Sequence, residues 1–460
     1  MANYWNKIVQ LNVSETIAAT PSTLQGTAAI LSVGSTLQNT GSLTLIAGAG
    51  QLANYLLPAT IISNASWSSG LVTITTSTPI TFAIGTTIPI VISGMTPDAY
   101  NGTFTATVAG ANSLTYSLVS NPGTATTFGS LITGYQQSLI AADATWWANG
   151  SAAAYYLFEA GAVTRAAALT EIQSYIAANP HTVYAWVLLL GFDSESTLPA
   201  FLSQYEALNA LVTFYVPCTT STYASIAATN AREAMATIQS PGAAATEMDV
   251  AAYAQFLTAF RPSPTNRLPP SQYTYTYGTT AYSPITNAMM DTLVADNINF
   301  ISTGAEGGIS NTILIKGAML DGTPANVKYA IDWVQIQLDL ALSNAVINGS
   351  NNTLNPLYYN QEGINSLQAV ARTVAIQAIS SGLALGTVNL VQLDPTVFAN
   401  NVANGLYAGQ FVINAVPFNL YVAQNPSNYA QGIYGGFQAS FVPQYGFTQI
   451  VFNLNATQFA

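Results

Sequence analysis

The sequence predicts a multidomain chain, part α/β and part α+β, that carries one small all-β insert. Three observations predict it. The 460 residues suit roughly two to four domains of about 100–200 residues each. Between residues 58 and 134, short β-branched runs alternate with turn residues. From residue 135 onward, apolar strand-like runs alternate with helical patterns, the order that builds a parallel or mixed sheet with helices on its faces. The expected segments are 1–57, an N-terminal arm and the start of a core; 58–134, the all-β insert; 135–270, an α/β middle or outer domain; and 271–460, a C-terminal α+β core ending in an arm.

The chain opens on a ribbon, Asn6 to Val13, with Val9, Leu11 and Val13 on one face and Ile8 on the other. Ser14 to Gly50 reads as loops with a short helix or strand near Leu24 to Val33, and turns at Gly34 and Gly41. In the insert, Leu71–Thr76, Ile88–Ile92, Gly102–Val108 and Leu114–Val119 read as strands, punctuated by Asn101-Gly102 and Asn121-Pro122-Gly123. Next come helices at Gln136–Asn149, Arg165–Ala178, Leu198–Leu208 and Ser221–Gln239, interleaved with strands at Ala152–Phe158, Val183–Leu190 and Leu211–Val216. Asp249–Phe260 is a helix, followed by a Pro-rich loop to Pro270 and a Tyr-rich ribbon, Ser271–Tyr282. Pro284–Asp296 reads as a helix, Ile298–Ser302 and Asn311–Lys316 as strands. The longest helix is Ala325 to Ile347, with Asp332, Gln335, Asp339 and Ser343 in one polar stripe and Gly349 as its stop. Gln361–Ser380 is another helix. Phe411–Ala423, Tyr434–Val442 and Phe447–Asn455 are strand-like. In the last, Ile450, Phe452 and Leu454 share a face, and a terminal strand leaves an edge that invites a partner.

Composition turns attention from chemistry to assembly. Only 6% of residues are charged, against about 25% in ordinary soluble proteins. A surface of neutral polar groups repels copies of itself weakly and favours permanent packing. The net charge of −11, from 8 basic and 19 acidic residues, opposes phosphate neutralisation and nucleic-acid binding. Cys218 is the one cysteine, so neither an intrachain disulfide nor a thiolate metal cluster is expected, and a reducing compartment fits. The first residues lack a basic region followed by an apolar run, unlike a signal peptide. The longest apolar run, Val183 to Phe192, is too short to cross a membrane.

No catalytic constellation is expected. His181, the single histidine, reads as a loop residue after Asn179-Pro180, and Cys218 as a buried thiol. Asp193 and Glu195 follow a strand, where α/β sites sit, but no phosphate-binding glycine pattern precedes them. Gly304–Gly308 lacks the Lys and Ser/Thr of a phosphate loop. Asp332 lies one turn after Lys328, a spacing that suits an ion pair or an outward face. No metal, cofactor or enzymatic activity is expected.

The chain resembles the tail sheath proteins of contractile bacteriophages. The resemblance is carried by Ile8–Ile17 (IVQLNVSETI) with Pro21–Gln25 (PSTLQ), by Ala325–Tyr359 and Asn360–Arg372 (NQEGINSLQAVAR), and by Pro426–Tyr429 (PSNY) through Gly432–Gly435 (GIYG) to Ile450–Asn455. It covers about 1–35 and 136–460, as a pattern rather than a catalytic signature. It implies a sheath core built from both chain ends around the tail tube, with outer domains inserted between. It implies stacked six-subunit rings that contract to drive the tube through the host envelope. The terminal arms, here Ile8, Val9, Leu11, Val13, Ile450, Phe452 and Leu454, would add strands to neighbouring subunits. Implied partners are copies of the chain, the tube protein, and baseplate and tail terminator proteins. The implied place is the virion tail, assembled in host cytoplasm, with no nucleic acid bound and no membrane inserted. Tube contact in the family is partly electrostatic, which makes Lys316 and Lys328 the candidates for it. The chain departs from larger members in carrying one compact β insert and few lysines. An alternative reading is a surface adhesin or fibre-like component holding a host receptor through the 58–134 module.

Overall fold

The computed structural model describes residues 24–150, 153–207, 210–303 and 311–447. These fall into two compact units: residues 24–262, 268–329 and 445–447 in one, and 263–267 with 330–444 in the other.

In the larger unit, strands β1 (Ala28–Ser32) and β2 (Leu43–Ile46) come first. The chain then builds a closed barrel from β3 (Thr60–Ser68), β4 (Leu71–Thr76), β5 (Thr87–Ser93), β6 (Gly102–Gly110), β7 (Ser113–Ser117) and β8 (Ser130–Thr133), paired in the order β3-β4-β7-β6-β5-β8. Alternation dictates it: Val72, Ile74, Ile88, Ile90, Ile92, Leu114 and Tyr116 point inward, and Thr73, Pro89, Val91 and Thr115 between them face the other side and are less buried. Ser69 and Gly70 adopt φ of 49° and 87°, the mirror-image turn that suits the twist of a hairpin. Closure removes the exposed edges that so uncharged a sheet would otherwise present.

Helix α1 (Gly134–Ala148) follows directly, capped by the Thr133 hydroxyl on the Gln136 N–H. Strand β9 (Tyr155–Glu159), α2 (Arg165–Ala178), β10 (Ala185–Val187), α3 (Leu198–Ala207), β11 (Thr213–Cys218), α4 (Tyr223–Ala227), β12 (Ala234–Ile238) and α5 (Asp249–Ala259) complete a six-stranded sheet ordered β12-β11-β10-β1-β9-β2. All pairs are parallel except β2 on β9. Every residue of β1, β10, β11 and β12 is buried, as continuous apolar runs covered on both faces must be. Helices α1 and α5 pack together and α5 lies on β10, β11 and β12. Trp146 and Trp186 are fully buried in this unit. Then come α6 (Asn287–Ala295) and the hairpin of β13 (Phe300–Thr303) with β14 (Thr312–Ile315). Asn299 ties this hairpin region to β12: its side chain donates to the Ala236 and Ala318 carbonyls and accepts from the Ala318 N–H.

The long helix α7 (Ala325–Ser350) begins in the larger unit, and from residue 330 it belongs to the smaller. The smaller unit continues with α8 (Gln361–Ser380), β15 (Thr387–Val391), α9 (Pro395–Ala403), β16 (Gln410–Ala415), α10 (Phe418–Gln424), α11 (Pro426–Ala430) and β17 (Phe437–Ser440). Its sheet is ordered β15-β16-β17, the first pair parallel and the second antiparallel. Helix α8 covers it, and buried Gln368 donates to the carbonyls of Val391 and Ile413. Asn414, fully buried, bonds both ways with the Leu393 backbone and donates to Gln438.

Several expectations change. The segment grouped with a core made from both chain ends contributes β1 to the α/β sheet of the larger unit. Ser221–Gln239 is not one helix: its end is strand β12, because small residues fit between β11 and the hairpin region. Phe411–Ala423 splits at Pro417 into a strand and a helix. Gly349 does not stop α7. A Cβ there would stand 2.4 Å from the Leu357 Cβ, so glycine serves the return of the chain past the helix.

Candidate functional site

A carboxylate, Glu159, occupies the place where α/β enzymes keep their ligand. It closes β9 at the carboxyl end of the parallel sheet, beside β1, where the strand order reverses. It is 1% exposed. Its oxygens accept from Ser32 Oγ (2.7 Å), Thr36 Oγ1 (2.6 Å), the Gly34 N–H (2.8 Å) and the Gly161 N–H (2.7 Å). All four donors come from this chain, so the carboxylate is used up in joining two loops. Nothing in the sequence near Glu159 announced this, since three of its donors lie more than 120 residues away.

The residues weighed for chemistry lie apart in role. His181 is exposed, with φ of 60°. Cys218 is fully buried at the end of β11, and burial, with the Asp193 charge, pushes its thiol well up from the ordinary value. Asp193 is buried and accepts a short bond from the Thr222 hydroxyl. Glu195 is bound to the N–H and hydroxyl of Thr197. Among the described residues, no group of three or more His, Cys, Asp or Glu side chains could hold a metal ion, and no helix is long and apolar enough to cross a membrane.

The assembly residues divide. Ile8, Val9, Leu11, Val13, Ile450, Phe452 and Leu454 lie outside the described residues, as does Gly304–Gly308. Lys328 is 2% exposed. Its amine donates to the Val212 carbonyl and stands 5.5 Å from the Tyr184 ring centre, so it is an internal cation rather than a surface one. Lys316 is half-buried with φ of 79°, beside Gly317 at 61°. It lines a hollow of about 320 Å³ with Pro270, Val294, Pro324 and Phe447, and partial burial lowers its amine from the ordinary value.

Two features of the smaller unit stand out instead. Among the described residues, no strand flanks β15 or β17 on its outer side. Neither strand contains a charged residue or a proline, the usual means of blunting an open edge. Between the end of α7, α8 and β17 runs a groove of about 580 Å³, lined by Leu342, Val346, Ile347, Ile364, Leu367 and Phe437 among others. Val346 and Ile347 are substantially exposed, as are Leu354 and Tyr358 nearby. Sequence reading missed β15, and with it one of the two edges.

No protein-family model matches the chain, and no curated protein matches it. Among solved structures, a sheath tail protein from Listeria innocua is similar over 91% of this chain and 95% of its own, at 8% identity and a TM-score of 0.42. A sheath tail protein from Desulfitobacterium hafniense is similar over 82% and 90%, at 13% identity and a TM-score of 0.41.

Proposed function

We propose that this chain is a tail sheath subunit, a structural protein that polymerises around a tail tube and contracts. The observation that carries the reading is the sheet β15-β16-β17: among the described residues neither outer edge has a covering strand, and neither edge strand carries a charge to blunt it. Such edges are templates for strands from other copies. In a chain with 6% charged residues, little opposes dense packing. The sequence resemblance at both chain ends and along α7 and α8 points the same way. The ribbons at Ile8–Val13 and Ile450–Leu454 of neighbouring subunits are the strands assigned to these edges. The family resemblance implies the rest: stacked hexameric rings, the virion tail as the site, and the tube, baseplate and terminator proteins as partners. Assembly takes place in host cytoplasm. Contraction proceeds by gain of subunit contacts while the exchanged strands hold. Lys316 remains the candidate for tube contact; Lys328, enclosed within its own subunit, does not.

Negative-stain microscopy of the concentrated protein tests the reading. Striated tubes are expected, and a monodisperse monomer at every concentration would overturn it. Removing residues 1–14 or 446–460 should leave a folded subunit that forms no long polymers. Regular tubes from trimmed protein would refute strand exchange.

A further inference from the structure

The hollow beside Lys316 holds a cation with nothing to pair with. It lies within the larger unit and has a volume of about 320 Å³, inside the range of about 300–1,000 Å³ usual for small-ligand sites. Its frame is tight. A Cβ on Gly446 would stand 2.3 Å from the Pro270 Cβ, and one on Gly317 would stand 2.5 Å from the Ser271 carbonyl carbon. The 445–447 segment and the 316–317 turn therefore both press on residues 270–271. Lys316 itself has φ of 79°, in the left-handed region that a lysine seldom adopts. Pro270, Val294, Pro324 and Phe447 supply apolar wall. Ser271 and Asn326 also line the hollow but are spent on each other: Asn326 Oδ1 accepts from the Ser271 N–H and hydroxyl, and Ser271 Oγ accepts the Asn326 N–H. The other N–H groups at the start of α7 are taken as well. Ala325 donates to the Gly317 carbonyl, and Val327 and Lys328 to the Pro324 carbonyl. The Lys316 amine and the Gln272 amide are different: both line the hollow, and neither has a hydrogen-bond or ion-pair partner among the described residues. Among those residues, no carboxylate lines the hollow.

We propose that this hollow binds a small free carboxylate with a hydrocarbon body, its carboxyl group on the Lys316 amine, with the Gln272 amide as a further donor, and its chain along Pro270, Val294, Pro324 and Phe447. The lining selects this class. An unpaired lysine repels a cation, and a neutral apolar ligand would strip water from the amine without replacing it. A phosphate calls for several donors and has no hydrocarbon to lay on the apolar walls. A carboxylate is satisfied by one cation and a neighbouring N–H, and each methylene it buries adds affinity. The same walls favour a free molecule over an acidic side chain, whose stem is short. Partial burial with no counter-charge lowers the Lys316 amine from its ordinary value; a bound carboxylate opposes that shift. The site is built within one chain and does not depend on assembly or on tube contact.

Isothermal titration of the full chain with hexanoate, acetate and hexanol at low salt tests the assignment. Hexanoate should bind at least about tenfold more tightly than either of the others, because acetate lacks the chain and hexanol lacks the charge. Lys316→Gln should bring hexanoate down to the level of hexanol, a loss of about tenfold, and Lys316→Arg should keep most of the affinity. Val294→Ser should weaken hexanoate and leave acetate unchanged, a check that stands even where the Lys316→Gln chain folds poorly. Failure of hexanoate to bind the wild type, or equal binding to wild type and Lys316→Gln, would overturn the proposal. Acetate as tight as hexanoate would overturn it too, since the hollow would then take any carboxyl group, that of an acidic side chain included.

Discussion

Replacing Glu159 tests whether the carboxyl end of the sheet is a fastening or an empty active site. Glu159→Ala strands two backbone N–H groups and two hydroxyls in a fully buried site. Hydrogen bonds to a charged acceptor contribute about 1.5–3 kcal/mol each, so the simple sum over four is about 6–12 kcal/mol. That sum is an upper bound. The variant also sheds the cost of burying a charge, and water can enter the vacated polar space. A loss of about 3–5 kcal/mol is expected, a fall of roughly 1–2 M in urea midpoint at a slope of about 2–3 kcal/mol/M. Glu159→Gln keeps the shape: its oxygen can face the Gly34 and Gly161 N–H groups while its amide donates to the Ser32 and Thr36 hydroxyls, which rotate. It should cost about 1–2 kcal/mol. Because two units need not unfold in one step, hydrogen exchange of peptides 28–36 and 155–161 should accompany the urea titration. A Gln variant as unstable as the Ala variant, or an Ala variant within about 0.5 kcal/mol of wild type, would refute the reasoning.

Two further outcomes are expected. Gly349→Ala improves intrinsic helix propensity by about 1 kcal/mol, yet places a Cβ 2.4 Å from that of Leu357; overpacking at about 1–3 kcal/mol should win, lowering the melting temperature, and Leu357→Gly in the same chain, which removes the opposing Cβ, should relieve the clash where Leu357→Ala does not. At alkaline pH, stability should fall because burial raises Cys218, Tyr155 and Tyr215 above their ordinary values. The unfolded thiol gives up its proton near about 8.5 and the phenols near about 10, so the loss begins at the first value and steepens past the second, at about 1.4 kcal/mol per pH unit for each group. Cys218→Ala should remove the first step; a flat profile from pH 8.5 to 10 in the wild type would contradict the burial argument.

Some of this was legible in the sequence for local reasons. The period-2 run of Leu71–Thr76 could bury one side only, and it became a barrel strand. Asn360 before an amphipathic stretch capped α8 through the Gly363 N–H. What could not be read depends on distant parts of the chain. The helix formers of Ala234–Ile238 were overridden by pairing with β11. Strand β15 is five residues long and begins beside Gly386, where a Cβ would stand 1.6 Å from the Gly409 carbonyl oxygen; that close approach is invisible before the fold is known. The Glu159 cluster is likewise made by segments that approach only in the folded chain, and a sequence so poor in charge gives that lone carboxylate no neighbour to betray its role.

The barrel leaves the chain where it enters it. Strands β3 and β8 are paired neighbours, with Thr60 opposite Leu131, so the ends of the whole module stand about 5 Å apart. Just outside them, Gln136 Nε2 donates to the Leu57 carbonyl at 2.7 Å, a staple that does not involve the barrel. This seam is therefore a ready graft port. Any foreign domain whose own termini lie side by side can be spliced there with little loop-closure entropy to offset, turning the chain into a carrier whose cargo is chosen independently of the frame that bears it.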